Sequence, residues 1–203
     1  MTKALATYWE DHLEIRSLIV RERYYRDTGQ WSKLRGAYHP DASKTKVRIS
    51  WFNGDINGFV AGSETMAKGG AAAMHTICPI EILVNGDKAI SESTGSIMIR
   101  FEHKDVQFDC TSYTRFVSRF ERVDAEWKLL TLEAIYDRDT ITPVHPGTPE
   151  AVFHLDEHPR PSYKCISWVL AQAGFTIDPD LPGSDVAGSA EALTGSNLAW
   201  LEG

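Results

Sequence analysis

The start of the chain has the pattern of an amphipathic helix. Between residues 8 and 26, charged side chains alternate with apolar ones that recur at helical spacing, at Leu13, Leu18, Ile19 and Tyr25. The run Asp27-Thr28-Gly29 predicts the end of this helix, with Gly29 as the C-terminal cap. A shorter helix is predicted from residue 31 to 38, because the residue before Pro40 disfavours helical geometry.

The middle of the chain has the alternation of β-strands. One strand is predicted at residues 46–52, and four longer ones at 75–84, 89–101, 106–122 and 126–138. The turn signals between the long strands are Asn85-Gly86-Asp87, Lys104-Asp105 and Asp124-Ala125. Strands of this length have to bend, and Gly95 is the predicted place for a bulge or kink.

Glycines separate the first strand from the long ones. Gly54, Gly58 and Gly62 predict a loop, and Ser63 predicts the cap of a short helix that continues through residues 66 and 67. Helices that cover one face of a strongly curved antiparallel sheet give an α+β fold. We therefore predict a cone-shaped α+β barrel, in which a curved, mixed but mostly antiparallel sheet wraps around the N-terminal helices.

The tail of the chain differs in character. Five prolines between residues 143 and 161 predict an extended linker, and helical patterns follow at 162–173 and 186–201. The predicted organisation is a cone domain over residues 1–139 and a proline-rich linker with a helical C-terminal extension over 140–203. The extension is expected to pack on the domain or on a partner subunit. The exposed side of the sheet predicts a homo-oligomer, most simply a dimer.

Composition excludes several classes of partner. The chain has 203 residues and a net charge of -7. Nucleic acids and anionic membranes both require concentrated Lys and Arg, so neither is expected as a partner. Three cysteines in separate positions do not form a disulfide framework. No signal peptide and no apolar run long enough to cross a bilayer are seen, so the protein is expected to be soluble and cytoplasmic.

Two residues stand out as candidates for chemistry. Asp27 lies at the predicted end of the first helix, and His75 opens the first long strand. A histidine oriented by a carboxylate in an apolar cavity acts as a general base. The alternative interpretation is an exposed helix end for Asp27, paired with Arg23, and a strand-end histidine with a satisfied hydrogen bond. The helix dipole disfavours a carboxylate at a C-terminus, which favours a special role for Asp27.

The order of elements resembles the SnoaL-like branch of the nuclear transport factor 2-like superfamily. The resemblance covers roughly residues 8 to 139. Its markers are Asp27-x3-Trp31-x2-Leu34, Tyr38-His-Pro-Asp-Ala42, His75 five residues before Ile80-Glu81-Ile82, and Arg119-Phe-Glu-Arg-Val-Asp-Ala-Glu-Trp127-Lys-Leu. The chain is similar to hexachlorocyclohexane dehydrochlorinase, scytalone dehydratase and bile-acid dehydratase. In these enzymes an Asp and a His share the cavity, and the resemblance implies that role for Asp27 and His75.

Four further residues are candidates for binding a substrate: Tyr24, Trp51, Arg115 and Tyr136. Tyr24 lies one helical turn before Asp27 and either donates to a substrate oxygen or is a core aromatic. Trp51 and Arg26 stand where scytalone dehydratase has tyrosines, so the same substrate is not expected. Arg115 either holds an anionic oxygen in the cavity or forms an ion pair on the outer face. Tyr136 reaches the cavity from the last strand or belongs to the core.

No metal or cofactor is predicted. His154-Leu-Asp-Glu-His158 offers metal-ligating groups, but it lies among prolines and has no second cluster. Arg100 and His103 are expected at the surface, and His39 in a loop. No phosphate-binding, dinucleotide-binding or serine-hydrolase motif is present, and deprotonation with elimination requires no cofactor.

The leading interpretation is a cofactor-independent lyase, a dehydratase or a related eliminating enzyme, acting on a small apolar or aromatic metabolite. The same base also suits an isomerase, a polyketide-cyclase-like enzyme or a retro-aldol enzyme. A non-catalytic ligand-binding or dimerisation domain is the alternative of a different class.

Overall fold

The computed structural model describes residues 3–69, 73–147 and 153–203. In these ranges the chain forms five α-helices: α1 (Lys3–Asp27), α2 (Trp31–Gly36), α3 (Ile56–Lys68), α4 (Lys164–Gln172) and α5 (Ser189–Glu202). A short 3-10 helix spans Ala42–Lys44. No helix in the described ranges is long and apolar enough to cross a membrane.

A seven-stranded sheet forms the centre of the fold. Its strands are β1 (Lys46–Ile49), β2 (Phe52–Gly54), β3 (Ala73–Asn85), β4 (Lys88–His103), β5 (Val106–Val123), β6 (Glu126–Leu129) and β7 (Thr131–Pro143). The order across the sheet is β2-β1-β7-β5-β4-β3, and β6 also pairs with β5. Only the β1–β7 pairing is parallel among these neighbours. The predicted α+β fold with a curved, mostly antiparallel sheet is confirmed, and the sheet is not closed.

The three predicted hairpin turns are present. Gly86 has a φ of 60°, and the two-residue turns Lys104-Asp105 and Asp124-Ala125 have positive φ at all four residues. Two-residue turns of this kind match the twist of antiparallel strands. The turns fix the register in which β3, β4, β5 and β6 pair, and thereby the side chains that share each face of the sheet.

Helix α3 begins earlier than predicted. It begins at Ile56, and the Asp55 carboxylate caps it by accepting a hydrogen bond from the backbone N–H of Gly58 at 2.9 Å. The prediction of a loop through Gly62, followed by a short helix capped by Ser63, was therefore wrong. Gly58 and Gly62 are inside the helix, and aromatic rings pack closely against them: a Cβ on Gly62 would lie 3.1 Å from the Trp51 ring.

The strands also differ from the sequence-based expectation, and the predicted strand 46–52 is divided into the antiparallel pair β1 and β2. The register shifts lie at Pro79/Glu81 and at Tyr113/Thr114, and pairing is continuous through Gly95. The last predicted strand is divided into β6 and β7. The division occurs where the backbone N–H of Arg119 donates to the Thr131 hydroxyl at 3.0 Å, and where Thr131 meets the parallel strand β1.

The C-terminal tail contributes to the same hydrophobic core as the sheet. Its buried side chains in this core are Tyr163, Ile166, Trp168, Val169, Leu170 and Leu181. Backbone hydrogen bonds connect Tyr136 to Pro182 and Ser184. Helix α5 lies against β3 and β4, where the Asn85 side chain donates to the Leu201 carbonyl. Part of the predicted proline-rich linker lies outside the described residues.

Candidate active site

Asp27 and His75 meet where helix α1 ends beside strand β3. Gly29, with a φ of 68°, allows the chain to leave the helix directly after Asp27. The Asp27 Oδ1 atom lies 2.7 Å from the His75 Nδ1 atom. The second carboxylate oxygen, Oδ2, accepts a hydrogen bond from the backbone N–H of His75 at 2.7 Å. One carboxylate thus fixes both the ring and the backbone of the histidine.

The protonation states of the pair follow from their surroundings. Burial raises the pKa of Asp27, but the hydrogen bonds from the His75 ring and backbone outweigh this effect and leave the pKa below its usual value. Burial lowers the pKa of His75 to about 4, against the opposing effect of the hydrogen bond to Asp27. At neutral pH the site therefore holds a carboxylate and an uncharged imidazole.

The tautomer of His75 is set by the same contact. An ionised carboxylate only accepts hydrogen bonds, so the proton of the neutral ring is assigned to Nδ1. The other ring nitrogen, Nε2, then carries a free lone pair. Among the described residues Nε2 has no hydrogen-bond partner, and the ring lines an internal hollow. This arrangement leaves Nε2 available to accept a proton.

The hollow beside His75 is mostly apolar and nearly filled. Its apolar walls come from the sheet, α3 and α4, with Ile49, Met66, Ile97, Ile99, Phe116 and Leu170 among them. The empty space amounts to about 390 Å³, open solvent included, but only about 20 Å³ can hold the centre of a water-sized sphere. That is room for about one water molecule, so a larger ligand requires side chains to move apart.

Trp51 and Tyr136 both line this hollow, as the sequence suggested. Tyr136 is fully buried, and its hydroxyl accepts a hydrogen bond from the backbone N–H of Ser50 at 2.9 Å. Burial raises the pKa of Tyr136 to about 12, so the phenol stays protonated. Its O–H remains available as a donor toward the hollow.

The structure places Tyr24 and Arg115 elsewhere. Tyr24 is 57% exposed on the outer side of α1. Arg115 points away from the hollow and forms ion pairs with Glu92 at 3.1 Å and Asp137 at 3.4 Å. Alternate residues of a strand face opposite sides of a sheet, and Phe116, which lines the hollow, is the neighbour of Arg115. For Arg115 this placement agrees with the outer-face alternative.

Two arginines in the hollow were missed as site residues from the sequence alone. Arg23 and Arg26 both line it, and both lie on α1, the helix that ends at Asp27. The signal was present in the spacing: among the described side chains of α1, the buried ones are Asp11, Ile15, Leu18, Ile19, Glu22, Arg23 and Arg26, which recur at intervals of three and four residues. Leu13, by contrast, is 66% exposed. The charged residues therefore occupy positions that an apolar stripe would fill.

The two arginines differ in how well they are paired. Arg23 forms an ion pair with Glu22, which also accepts a hydrogen bond from the Tyr38 hydroxyl at 3.0 Å. Arg26 contacts only the Asp27 Oδ1 atom, at 3.5 Å, and the Met66 sulfur, at 3.3 Å, among the described residues. Burial and the charge of Arg23 lower the pKa of Arg26 to about 10, so it remains a cation at neutral pH.

The remaining histidines lie outside the hollow. His39 is buried in its loop, where its ring accepts from the Asp41 backbone N–H at 3.0 Å. His103 is half-buried against Phe153 and Trp168 rather than exposed as expected, whereas Arg100 is exposed and paired with Asp109. No group of three His, Cys, Asp or Glu residues with metal-binding geometry occurs within the described part of the chain.

Comparison with solved structures supports the fold. The crystal structure named "Putative Scytalone Dehydratase" from Novosphingobium aromaticivorans superposes with a TM-score of 0.55 at 18% identity, covering 72% of this chain and 99% of that one. Hexachlorocyclohexane dehydrochlorinase LinA-type3 from Novosphingobium barchaimii gives a TM-score of 0.56 at 14% identity, covering 72% and 97%. Identities at this level establish similarity of fold.

Comparison of sequences gives a relative and a family. Pea pathogenicity protein 2 from Fusarium vanettenii is 28% identical over 180 residues, which is 85% of this chain and 75% of that protein. Residues 7–133 match the model of the SnoaL-like domain. This match covers the helix that ends at Asp27, the strand that begins before His75, and most of the sheet. The chain belongs to the SnoaL-like domain family.

Proposed function

We propose that the protein is a cofactor-independent lyase in which His75 removes a proton from carbon and Asp27 orients and supports the base. The observation that carries this proposal is the 2.7 Å contact between Asp27 Oδ1 and His75 Nδ1 at the wall of a buried, mostly apolar hollow. A functional pair of this kind needs a base that is uncharged at rest and held in one orientation, and both conditions are met.

The proposed step is an elimination. The lone pair on His75 Nε2 takes a proton from a carbon of the substrate, and the electron pair of that C–H bond becomes the new C=C bond. The group on the neighbouring carbon leaves with its own bonding pair. The imidazolium that forms is stabilised by the Asp27 carboxylate at its Nδ1 side. The proton on Nε2 then passes to the leaving group or to solvent.

The fold comparisons are consistent with this chemistry. Two of the solved structures of similar fold carry the names of a dehydratase and a dehydrochlorinase, enzymes that eliminate water and hydrogen chloride. The mostly apolar walls favour a small substrate with a substantial apolar part. Return of the proton to another carbon of the same substrate would give an isomerase with the same residues.

The test replaces the two members of the pair. Candidate β-hydroxy and β-halo carbonyl compounds are incubated with the protein, and the release of the leaving group is followed by mass spectrometry. His75→Gln and Asp27→Asn should each lower kcat/KM by about 100- to 10,000-fold, because positioned acid-base catalysis contributes that factor. His154→Gln, at an exposed histidine of the tail, is the matched control and should leave the rate unchanged.

Circular dichroism should show that the variants keep the fold. Unchanged turnover in folded His75→Gln would refute the assignment of the base. Turnover that yields a rearranged product without loss of a leaving group would instead identify an isomerase.

A further inference from the structure

The Arg26 guanidinium is a buried cation whose one ion-pair partner among the described residues, Asp27, lies 3.5 Å away. Its side chain is only 7% exposed, and it lines the hollow beside His75. Its two contacts are long or weak: 3.5 Å to the Asp27 Oδ1 atom and 3.3 Å to the Met66 sulfur, which is a poor acceptor. A guanidinium has five N–H donors, and a buried charge is ordinarily paired and hydrogen-bonded.

The two carboxylates nearby are already engaged by other donors. Glu22 pairs with Arg23 and accepts a hydrogen bond from the Tyr38 hydroxyl. Asp27 accepts from the His75 ring and from the His75 backbone, both at 2.7 Å. Within the described ranges, Arg26 is therefore left with unused donors at the wall of the hollow.

We propose that Arg26 binds a carboxylate of the substrate, so that the protein acts on a small organic acid. The proposal rests on the proposed function for the role of His75, but the anion site itself does not depend on catalysis. The planar fork of a guanidinium matches a carboxylate with two parallel hydrogen bonds. The substrate would have its carboxylate at Arg26 and its apolar part against Ile97, Ile99 and Phe116.

Pairing of this kind also affects the base. The charges of Arg26 and Arg23 are among the causes that lower the pKa of His75, after burial. An anion bound to Arg26 offsets that positive charge, so the pKa of His75 rises when the ligand is in place. A general base is more effective when its pKa lies closer to the working pH. Binding of the proper substrate would thus strengthen the base beside it.

The test compares benzoate with benzamide, which have nearly the same shape and differ in charge. Acetate and acetamide form a smaller pair, suited to the limited space of the hollow. Binding is measured by calorimetry and by thermal shift at constant sodium concentration. We expect the two carboxylates to bind and to raise the melting temperature, and the two amides to bind at least tenfold more weakly.

Variants assign the binding to Arg26. Arg26→Gln should weaken benzoate binding by about 10- to 100-fold, since hydrogen bonds to a charged group contribute that much. Arg26→Lys keeps the charge without the planar fork and should retain part of the affinity. Arg21→Gln removes an exposed arginine of the same helix and should leave binding unchanged.

His75→Gln separates this proposal from the proposed function. Benzoate binding that persists in His75→Gln and is lost in Arg26→Gln supports the anion site, whatever the rate measurements give. Equal binding of benzoate and benzamide, unchanged benzoate binding in Arg26→Gln, or no binding of either carboxylate would overturn the assignment.

Discussion

The orientation of His75 depends on a single side chain that holds it twice. The Asp27 carboxylate contacts the ring through Oδ1 and the backbone N–H through Oδ2. Holding a ring in one orientation costs conformational entropy, and the two hydrogen bonds from Asp27 offset part of that cost. The carboxylate also opposes the effect of burial on the imidazole, because it favours the protonated ring.

The pKa of His75 is the first property to measure. Burial, aided by the charges of Arg26 and Arg23, places it at about 4, below the 6.5 of a free imidazole. In a nuclear magnetic resonance titration the ring of His75 should therefore titrate well below 6.5. Arg26→Gln removes one of the neighbouring cations, and the pKa of His75 should rise.

The same shift has a consequence for stability. Between pH about 6.5 and about 4 the unfolded chain binds a proton at this residue and the folded chain does not. The free energy of unfolding should therefore fall as the pH falls through this window, by up to about 3 kcal/mol. His75→Gln should show a flatter dependence in urea unfolding. An equal dependence in both proteins, or titration of His75 at its free value, would contradict this description of the site.

At the level of elements, Gly95 lies where strand β4 comes close to the backbone of β3. Gly95 pairs with Ile77 on β3 and with Thr114 on β5, and neither pairing has a register shift at this position. A Cβ at this position would clash with the Thr76 carbonyl oxygen and lie 3.2 Å from the Phe116 ring. The glycine is required for close approach of the backbone and not for a bulge.

Gly95→Ala should therefore destabilise the protein by about 1–3 kcal/mol, because the backbone of β3 has to shift. Gly195→Ala in α5 is the matched control, since nothing lies within 4 Å of a Cβ there. It should be neutral or stabilising by about 0.5–1 kcal/mol. Urea unfolding gives both values, and equal stability of the two variants would show that the close approach at Gly95 has no energetic effect.

Local signals predicted the elements that depend on neighbours in sequence. The hairpin turns at Gly86-Asp87 and Lys104-Asp105 and the helix end at Gly29 were correctly predicted, because backbone conformation decides them. The start of α3 was missed because the glycines at 58 and 62 usually disfavour a helix. The two glycines leave room for the Phe52 and Trp51 rings, which pack closely against the helix, and this tertiary contact is not visible in the local sequence.

The candidate site also contains residues that could be predicted from the sequence and one that was missed. Asp27 and His75 were found from their positions and from resemblance, and the structure brings them together. The burial of Arg26 could not be read from composition, since charged residues in a helix ordinarily face water. The helical spacing of Arg26 with the buried apolar residues of α1 was the signal that could have found it.

On the scale of the whole molecule, the C-terminal tail completes the hollow. Ile166 and Leu170 of α4 line it together with residues of the sheet, and the Ile166 backbone N–H donates to Asp139 on β7 at 2.8 Å. The division of the chain at residue 139 and the expected homodimer stay predictions.

Leu170→Ala tests the packing of α4. Leu170 is 3% exposed, and its truncation should destabilise the protein by about 2–5 kcal/mol, because a cavity forms beside the hollow. Leu198→Ala in α5 makes the same chemical change at a side chain that is 41% exposed, so it should cost much less. Similar melting temperatures for the two variants would show that α4 is not firmly packed on the domain.

The two hydrogen bonds between Asp27 and His75 determine which wall of the hollow has to keep its position when a ligand enters. If β3 separated from α1 to admit a ligand, both hydrogen bonds would break. His75 would then lose the carboxylate that orients it at the time the substrate binds. A ligand is therefore expected to enter without separating β3 from α1, for example past the Ile166 and Leu170 side chains of α4, which also line the hollow.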